Sequence, residues 1–441
     1  MVSGNTKKKE MIKAMSDECK GDSGTAAIMR DWIGMLCDGG KGKHAGASTR
    51  RPQRHSPEVP FSFVCGARSS REWIKREGAA CETGEWRNKR REHILRWSDP
   101  ESALSCVMEL TEYSDFPAME WVVRLRCGGT RATEPLHDFR ALDTSWKRAG
   151  EGEMPELRRA YGSDGRHDDF QHVRDELRQS MWDAGRTIRM DSAANAAFRK
   201  ARNGSPSFLI SDQRPSATWL PFFNLRTGSD GLFIALGWSG RWFAEFAHDG
   251  KGETAVSAGM EHLELRLRPG EEIRSPRVAL LYWQGEPTHA HNSWRRFVLK
   301  HHSPSAAGQP VQVPVCNGSW GGTPTPGHLE AIEVIRRLRP YFLGDYHPLT
   351  PCVFDMDSWV AYQLILPEKQ EGAILAFRRP ESKMTSGCFR LQGLDAAQTY
   401  LFEDADGGTT MQVSGGDLME KGLALSMDTP RASRLLFFSI G

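Results

Sequence analysis

No run of about 18 apolar residues occurs in this 441-residue sequence, so it holds no helix long and apolar enough to span a bilayer. Lys7, Lys8 and Lys9 are followed by no apolar stretch, so a readable secretory leader is missing as well. The nine cysteines include no Cys-x-x-Cys pair, which removes the zinc-ribbon and thioredoxin-type motifs. Without a leader, the expectation is reduced thiols in the cytoplasm, some of them buried. Neither G-x-x-x-x-G-K-[ST] nor G-x-G-x-x-G is present, so no loop is built to cradle phosphates. No Gly-x-Ser-x-Gly elbow supports a serine hydrolase. Net charge is also scarce: 58 Lys and Arg against 56 Asp and Glu give +2, which argues against a dedicated nucleic-acid binder.

What is present points to β structure. Hydrophobic residues make up 39%, enough for sizeable cores, and the length allows two to four modules. Residues 1–54 carry 11 basic and 6 acidic residues and account for the whole positive surplus; the rest of the chain holds 47 against 50. Their low apolar density predicts a disordered basic tail containing one short helix, Ala26 to Leu36. The 14 tryptophans suit either sugar stacking or, more commonly in large β domains, core packing.

From Phe61 the apolar pattern predicts strands. Ala103 to Tyr113 and Met119 to Cys127 flank an Asp115-Phe116-Pro117 turn and read as a hairpin. Gly231 to Trp238 and Arg241 to Ala247 read as a second pair across Ser239-Gly240. Leu263, Leu265 and Leu267 alternate along the clearest period-two stretch, closed by Pro269-Gly270, and Arg277 to Trp283 follows as a more continuously apolar strand. Residues 147–185 are polar and read as a surface excursion. The spacing then turns helical over His291 to His302, with Trp294, Phe297, Val298 and His301 on one face. A short strand at Val311 to Val315, a Gly-rich loop through Trp320 and a helix over His328 to Leu338 form one βα unit. Strand text resumes after Tyr341, at Gly372 to Phe377, Cys388 to Leu391, Thr399 to Phe402 and Leu435 to Ile440.

Three stretches carry a specific resemblance: Leu220-Pro221-Phe222-Phe223-Asn224-Leu225 leading to Gly237-Trp238-Ser239-Gly240-Arg241-Trp242; Pro314 through Thr325, containing Asn317-Gly318-Ser319-Trp320-Gly321-Gly322; and Arg339 through Thr350, containing Gly344-Asp345-Tyr346-His347-Pro348. Together they resemble the α-galactosidases (melibiases) of glycoside hydrolase family 36, over roughly residues 60–441. The resemblance implies an N-terminal β-supersandwich, a catalytic (β/α)8 barrel and a C-terminal β-sandwich, acting on terminal α-galactosides. The expected fold is therefore mainly β: a tail at 1–54, the supersandwich at 55–310, a one-unit barrel remnant at 311–339 and the small β-sandwich at 340–441.

The barrel is where the pattern departs. Eight βα units need about 250 residues, whereas 28 separate Val311 from Arg339. Retaining hydrolysis needs two carboxylates about 5–5.5 Å apart. In the family these lie on mid-barrel strands, in a Lys-x-Asp type motif and a Gly-rich loop, and neither motif stands at the corresponding place here. No catalytic residue is therefore carried over. Asp345, Asp355, Asp357 and Glu330 are spare acids near the junction, more typical of caps and solvated charges than of a dyad. By the resemblance, Trp320 is the retained substrate-binding residue, placed to stack on a sugar ring. Trp238 and Trp242 could line a groove, although core packing is the commoner role, and Phe222 and Phe223 read as core.

His289, His291, His301 and His302 lie close in sequence, but no acid or thiol stands at matching spacing, so neither metal nor cofactor is expected. Two readings follow. One is an α-galactosidase-like enzyme by descent, inactive as this chain stands; the other is a non-catalytic carbohydrate-binding or assembly β-sandwich. Either has a sugar as ligand, no nucleic acid and no membrane. An open βα unit would expose Ile332, Ile335 and Leu338 and the strand edge at Val311, favouring a partner or a homo-oligomer.

Overall fold

The computed structural model describes residues 23–37, 59–75, 78–99, 101–147, 154–163, 169–177, 186–191, 216, 218–249, 252–306, 309–311, 326–353, 355–407 and 410–441. They form two compact units, Met1–Gly285 and Glu286–Gly441. Every strand pair among the described residues is antiparallel. No described helix is long and apolar enough to cross a membrane.

The first unit is a sandwich of a seven-stranded and a ten-stranded sheet. The smaller runs Arg186–Asp191, Trp242–His248, Glu253–Met260, Leu136–Lys147, Ser62–Cys65 and Arg68–Ser69, with Glu264–Leu265 also on Leu136–Lys147. The larger runs Ala80–Thr83, Arg90–Ser98, Leu104–Tyr113, Ala118–Cys127, Arg277–Gln284, Asp230–Gly237, Phe222–Thr227, Glu156–Ala160 and His172–Glu176, with Glu272–Arg274 on Ala118–Cys127. Alternation along each strand sends one set of side chains between the sheets. Phe223 of the larger sheet meets Trp242 and Phe246 of the smaller edge to face, at 6.0 and 5.2 Å. The Trp121 indole donates to the Ala141 carbonyl across the core (2.9 Å), so its one polar atom is satisfied at 1% exposure. Gly231 lies opposite Trp283, whose ring leaves no room for a side chain: a Cβ there would fall 2.3 Å from it.

Helix α1 (Ser23–Cys37) packs on this sandwich through Met29, Ile33 and Leu36, buried at helical spacing, and Trp32 meets Trp121 edge to face at 6.4 Å. The predicted short helix is thus real, but it belongs to the core rather than to a tail.

Pairing departs from the sequence reading in three places. Asp230–Gly237 and Trp242–His248 do not form a hairpin; Ser239-Gly240 carries the chain from one sheet to the other, because both edges of Asp230–Gly237 are already taken by Phe222–Thr227 and Arg277–Gln284. The period-two leucines keep their common face, with Leu267 buried, but only Glu264–Leu265 finds a strand partner, and His262 turns the chain at φ +53°. Within 147–185, Glu156–Ala160 and His172–Glu176 pair as the outer hairpin of the larger sheet. Its polarity is that of an edge, not of a loop. Phe222 is likewise not core: it is 47% exposed, because it faces away from Phe223 on a pleated strand.

The second unit centres on a six-stranded sheet: Asp345–Pro348, Trp359–Leu366, Glu371–Arg378, Ser433–Ile440, Thr399–Asp404 and Met411–Ser414. Ser386–Phe389 pairs with Leu423–Ser426, and Ile374, Tyr400, Phe402, Leu418, Leu436 and Phe438 share the buried core. The unit also contains α2 (Pro287–His301), α3 (Pro326–Leu338) and α4 (Gly415–Glu420). On α3, Leu338 is buried against Leu364, Ala373 and Phe437, Ile332 is half-buried, and Ile335 stays 43% exposed. The expected open stripe therefore survives at Ile335 and closes at Leu338.

Candidate functional site

Trp320, the residue the resemblance assigns to substrate, lies outside the described residues, as do residues 312–325 around it. The acids proposed near the junction are described, and each has a local occupation or lies open to solvent. Asp345 begins a strand and receives both forks of the Arg296 guanidinium from α2, Nε at 2.8 Å on Oδ1 and Nη2 on Oδ2. The same helix sends Asn292 to both backbone groups of Tyr346, donating to its carbonyl (3.0 Å) and accepting from its N–H (2.8 Å). Arg295 donates to the carbonyls of Phe342 and Gly344 at 3.0 and 3.1 Å. Asp345 is thus part of the seam fixing α2 to its strand.

Asp355 accepts from the Ser358 N–H at 2.9 Å, a turn-capping contact. Its carboxyl is held below the usual range first by the Ser358 hydroxyl and then by that N–H. Asp357 is exposed, and Glu330 is exposed on α3. The four imidazoles do not converge: His301 and His302 lie against the Phe297 ring at 5.6 and 5.1 Å. Trp242 is fully buried; Trp238 is half-buried, with Arg274 over its ring at 5.6 Å.

What the structure does assemble is a polar cavity of about 400 Å³ on the first unit, lined in part by Arg90, Glu92, Glu109, Thr111, Glu120 and Arg277. The strand register explains it. Glu92 lies opposite Thr111, which lies opposite Glu120, so one polar row crosses three strands. Arg277 donates to Glu120 at 2.6 Å, and Arg124 donates to Glu109 at 2.8 Å. Beside them, burial and then the Glu120 charge push the Tyr113 hydroxyl well above its ordinary range, so it stays protonated. Carboxylates held by guanidinium groups accept hydrogen bonds well. This array can bind a polyhydroxylated ligand. Sequence reading passed over these residues. Their signal was there, in polar side chains at alternate positions of strands read as apolar, but register alone brings them together.

The family model for the glycosyl hydrolase family 36 C-terminal domain matches residues 359–438. Among solved structures, the chain is similar to the galactosidase domain of the α-galactosidase–sucrose kinase AgaSK (TM-score 0.59, 11% identity, 87% of this chain and 88% of that chain). It is similar to the family 36 α-galactosidase AgaA of Geobacillus stearothermophilus (0.58, 11%, 87% and 89%). It is also similar to the α-galactosidase of Lactobacillus brevis (0.61, 8%, 87% and 87%). No curated protein matches the sequence. At these identities the likeness is one of fold: the chain resembles the family 36 α-galactosidases, and its antiparallel sheets match their N-terminal and C-terminal β domains.

Proposed function

We propose that this chain derives from an α-galactosidase acting on terminal α-galactosides, and that it does not itself hydrolyse them. The observation that carries this reading is the span between Val311 and Arg339. Twenty-eight residues and one described helix, α3, stand where eight βα units would need about 250 residues. All described strand pairs are antiparallel, whereas barrel strands run parallel. The acids nearest the junction are spent on Arg296 and Ser358 or lie open to solvent. Structures of AgaA hold raffinose and stachyose, which makes α-galactosides the ligand class to test. In this reading Trp320 keeps its stacking role, and the thiols are reduced, as in the cytoplasm.

The test is release of p-nitrophenol from its α-galactoside by the purified chain. Turnover equal to a buffer blank is expected. Turnover above it that disappears in Asp345→Asn or Glu330→Gln would overturn the proposal.

The polar cavity favours a second reading, a carbohydrate-binding sandwich without catalysis. Calorimetry with raffinose separates the sites: binding lost in Arg277→Ala assigns it to the cavity, and binding lost in Trp320→Ala assigns it to the junction. Binding absent from the wild type removes this reading.

A further inference from the structure

Three metal-binding side chains from separate elements meet at the edge of the first unit. They are Cys37, the last residue of α1, Cys81 on the edge strand Ala80–Thr83, and His93 on the neighbouring strand Arg90–Ser98. One donor atom from each lies within 4.8 Å of the other two. We propose that these three residues bind one zinc ion, leaving its fourth position to a water or an external donor.

The chemistry of the set argues for it. Two thiolates and an imidazole are the donors a borderline-soft d¹⁰ cation prefers, and two thiolates with a neutral imidazole balance its charge. A tetrahedral ion at about 2.3 Å from sulfur and 2.0–2.1 Å from nitrogen sets donors roughly 3.4–3.8 Å apart, so side-chain rotation suffices to close the set.

The support behind His93 is the second observation. Its ring is 3% exposed, and Nε2 lies 3.2 Å from Oε2 of the equally buried Glu112. Arg91 donates to that same oxygen through Nε (2.9 Å) and Nη2 (2.6 Å). An ionised carboxylate can only accept, so Nε2 carries the proton and Nδ1 presents its lone pair toward the thiols. This is the carboxylate–histidine arrangement that orients a metal-bound imidazole. Thr83 Oγ1 stands 3.0 Å from Nδ1 and 3.9 Å from the Cys81 sulfur, contacts that a cation would replace.

Register makes the placement reproducible. Thr83 is directly opposite His93, and Cys81 lies two residues along on the same face. Cys37 reaches the site because α1 is pinned to the core by Met29, Ile33 and Leu36. Its carboxyl end has no basic residue in the last turn, and a cation there complements the helix dipole. The ion would clamp α1 to the edge strand, closing a margin that strand pairing leaves open.

The experiment uses the full chain, loaded with Zn²⁺ under a non-coordinating reductant, dialysed and analysed for metal. About one equivalent is expected, as is a thiolate-to-cobalt charge-transfer band when Co²⁺ replaces zinc. Cys37→Ser, Cys81→Ser and His93→Gln should each lose the band, and Glu112→Gln, which removes no ligand, should weaken zinc roughly 10–100-fold against a chromophoric chelator. Less than about a tenth of an equivalent on the wild type overturns the proposal, and that arm needs no variant to fold. So does zinc retained in full by the Cys37→Ser, Cys81→Ser double variant. A Cys37–Cys81 disulfide in a non-reduced peptide map would also overturn it, assigning the pair to redox chemistry.

Discussion

The two units treat buried charge differently. In the C-terminal unit, charged side chains fasten backbone. The terminal nitrogens of Arg378, 6% exposed, donate to the carbonyls of Met427, Asp428 and Ser382, and Arg296 clasps Asp345 with both forks. In the N-terminal unit, Glu112 faces the sandwich interior with one oxygen shared by Arg91 and His93 while Oε1 has no hydrogen-bond partner. A buried acceptor left in that condition costs stability. Arg378 Nε is likewise buried without a partner, but its terminal nitrogens are spent on backbone carbonyls, whereas Glu112 gathers two side chains of the next strand onto one oxygen, so the comparison directs experiments at Glu112.

Removing that carboxylate gives the largest expected effect. Glu112→Ala strands the Arg91 charge beside a buried imidazole, and breaking a buried pair typically costs about 3–5 kcal/mol. Urea unfolding reads it as a lower midpoint with an unchanged slope. Asp345→Ala should cost less, about 1.5–3 kcal/mol for hydrogen bonds to a charged group, because the Arg296 side chain is 46% exposed and rehydrates. If Asp345→Ala proved the more damaging, the contrast between the units would be wrong.

Acid titration sharpens the same contrast. Burial pushes the Glu112 carboxyl up, but the hydrogen bonds from His93 and Arg91 outweigh it and hold the group below its ordinary range. A depressed carboxylate contributes stability that is complete above its unfolded value, about 4.3, and is lost as pH falls toward the folded value. His347, lowered mainly by burial, adds a separate loss that begins below about 6.5, where the unfolded chain takes up the proton first. Glu112→Gln should therefore flatten the dependence of unfolding free energy on pH in the carboxylate range and leave the loss below 6.5 intact. An unchanged acid limb would remove Glu112 from the account.

How much of this could be read in advance follows from the same physics. Apolar, β-branched runs located Leu104–Tyr113, Ala118–Cys127 and Arg277–Gln284 nearly to the residue, because burial of a strand is written in its own sequence. Partners are not written there. The strands around Ser239-Gly240 read as a hairpin because alternation reports a face and says nothing about a neighbour. The site fails for a related reason. Cys37, Cys81 and His93 come from three elements and match no fixed-spacing motif, and the order of the acids near Asp345 could not show that Arg296 holds it. The helical stripe on α2 was legible, with Phe297 buried, but its seam to Tyr346 runs through Asn292, a residue type that hydropathy ignores.

The smallest expected effect tests whether geometry or burial decides the value of a charge pair. Arg337 on α3 donates to Glu403 through both terminal nitrogens, at 2.7 and 2.6 Å, and lies over the Phe437 ring at 3.9 Å. Like Arg296 on Asp345, Arg337 places two nitrogens on the two oxygens of one carboxylate, here end-on through both terminal nitrogens. Yet the side chains of Arg337 and Glu403 are 46% and 53% exposed, so water already solvates both charges and salt screens them. Glu403→Gln should shift stability by no more than about 1 kcal/mol, with the difference shrinking in high salt. The stacking on Phe437 survives that change because it depends on the arginine alone. A loss matching that of Asp345→Ala would mean that fork geometry, rather than desolvation, sets the worth of these pairs, and the distinction between the two units would then rest on Glu112 alone.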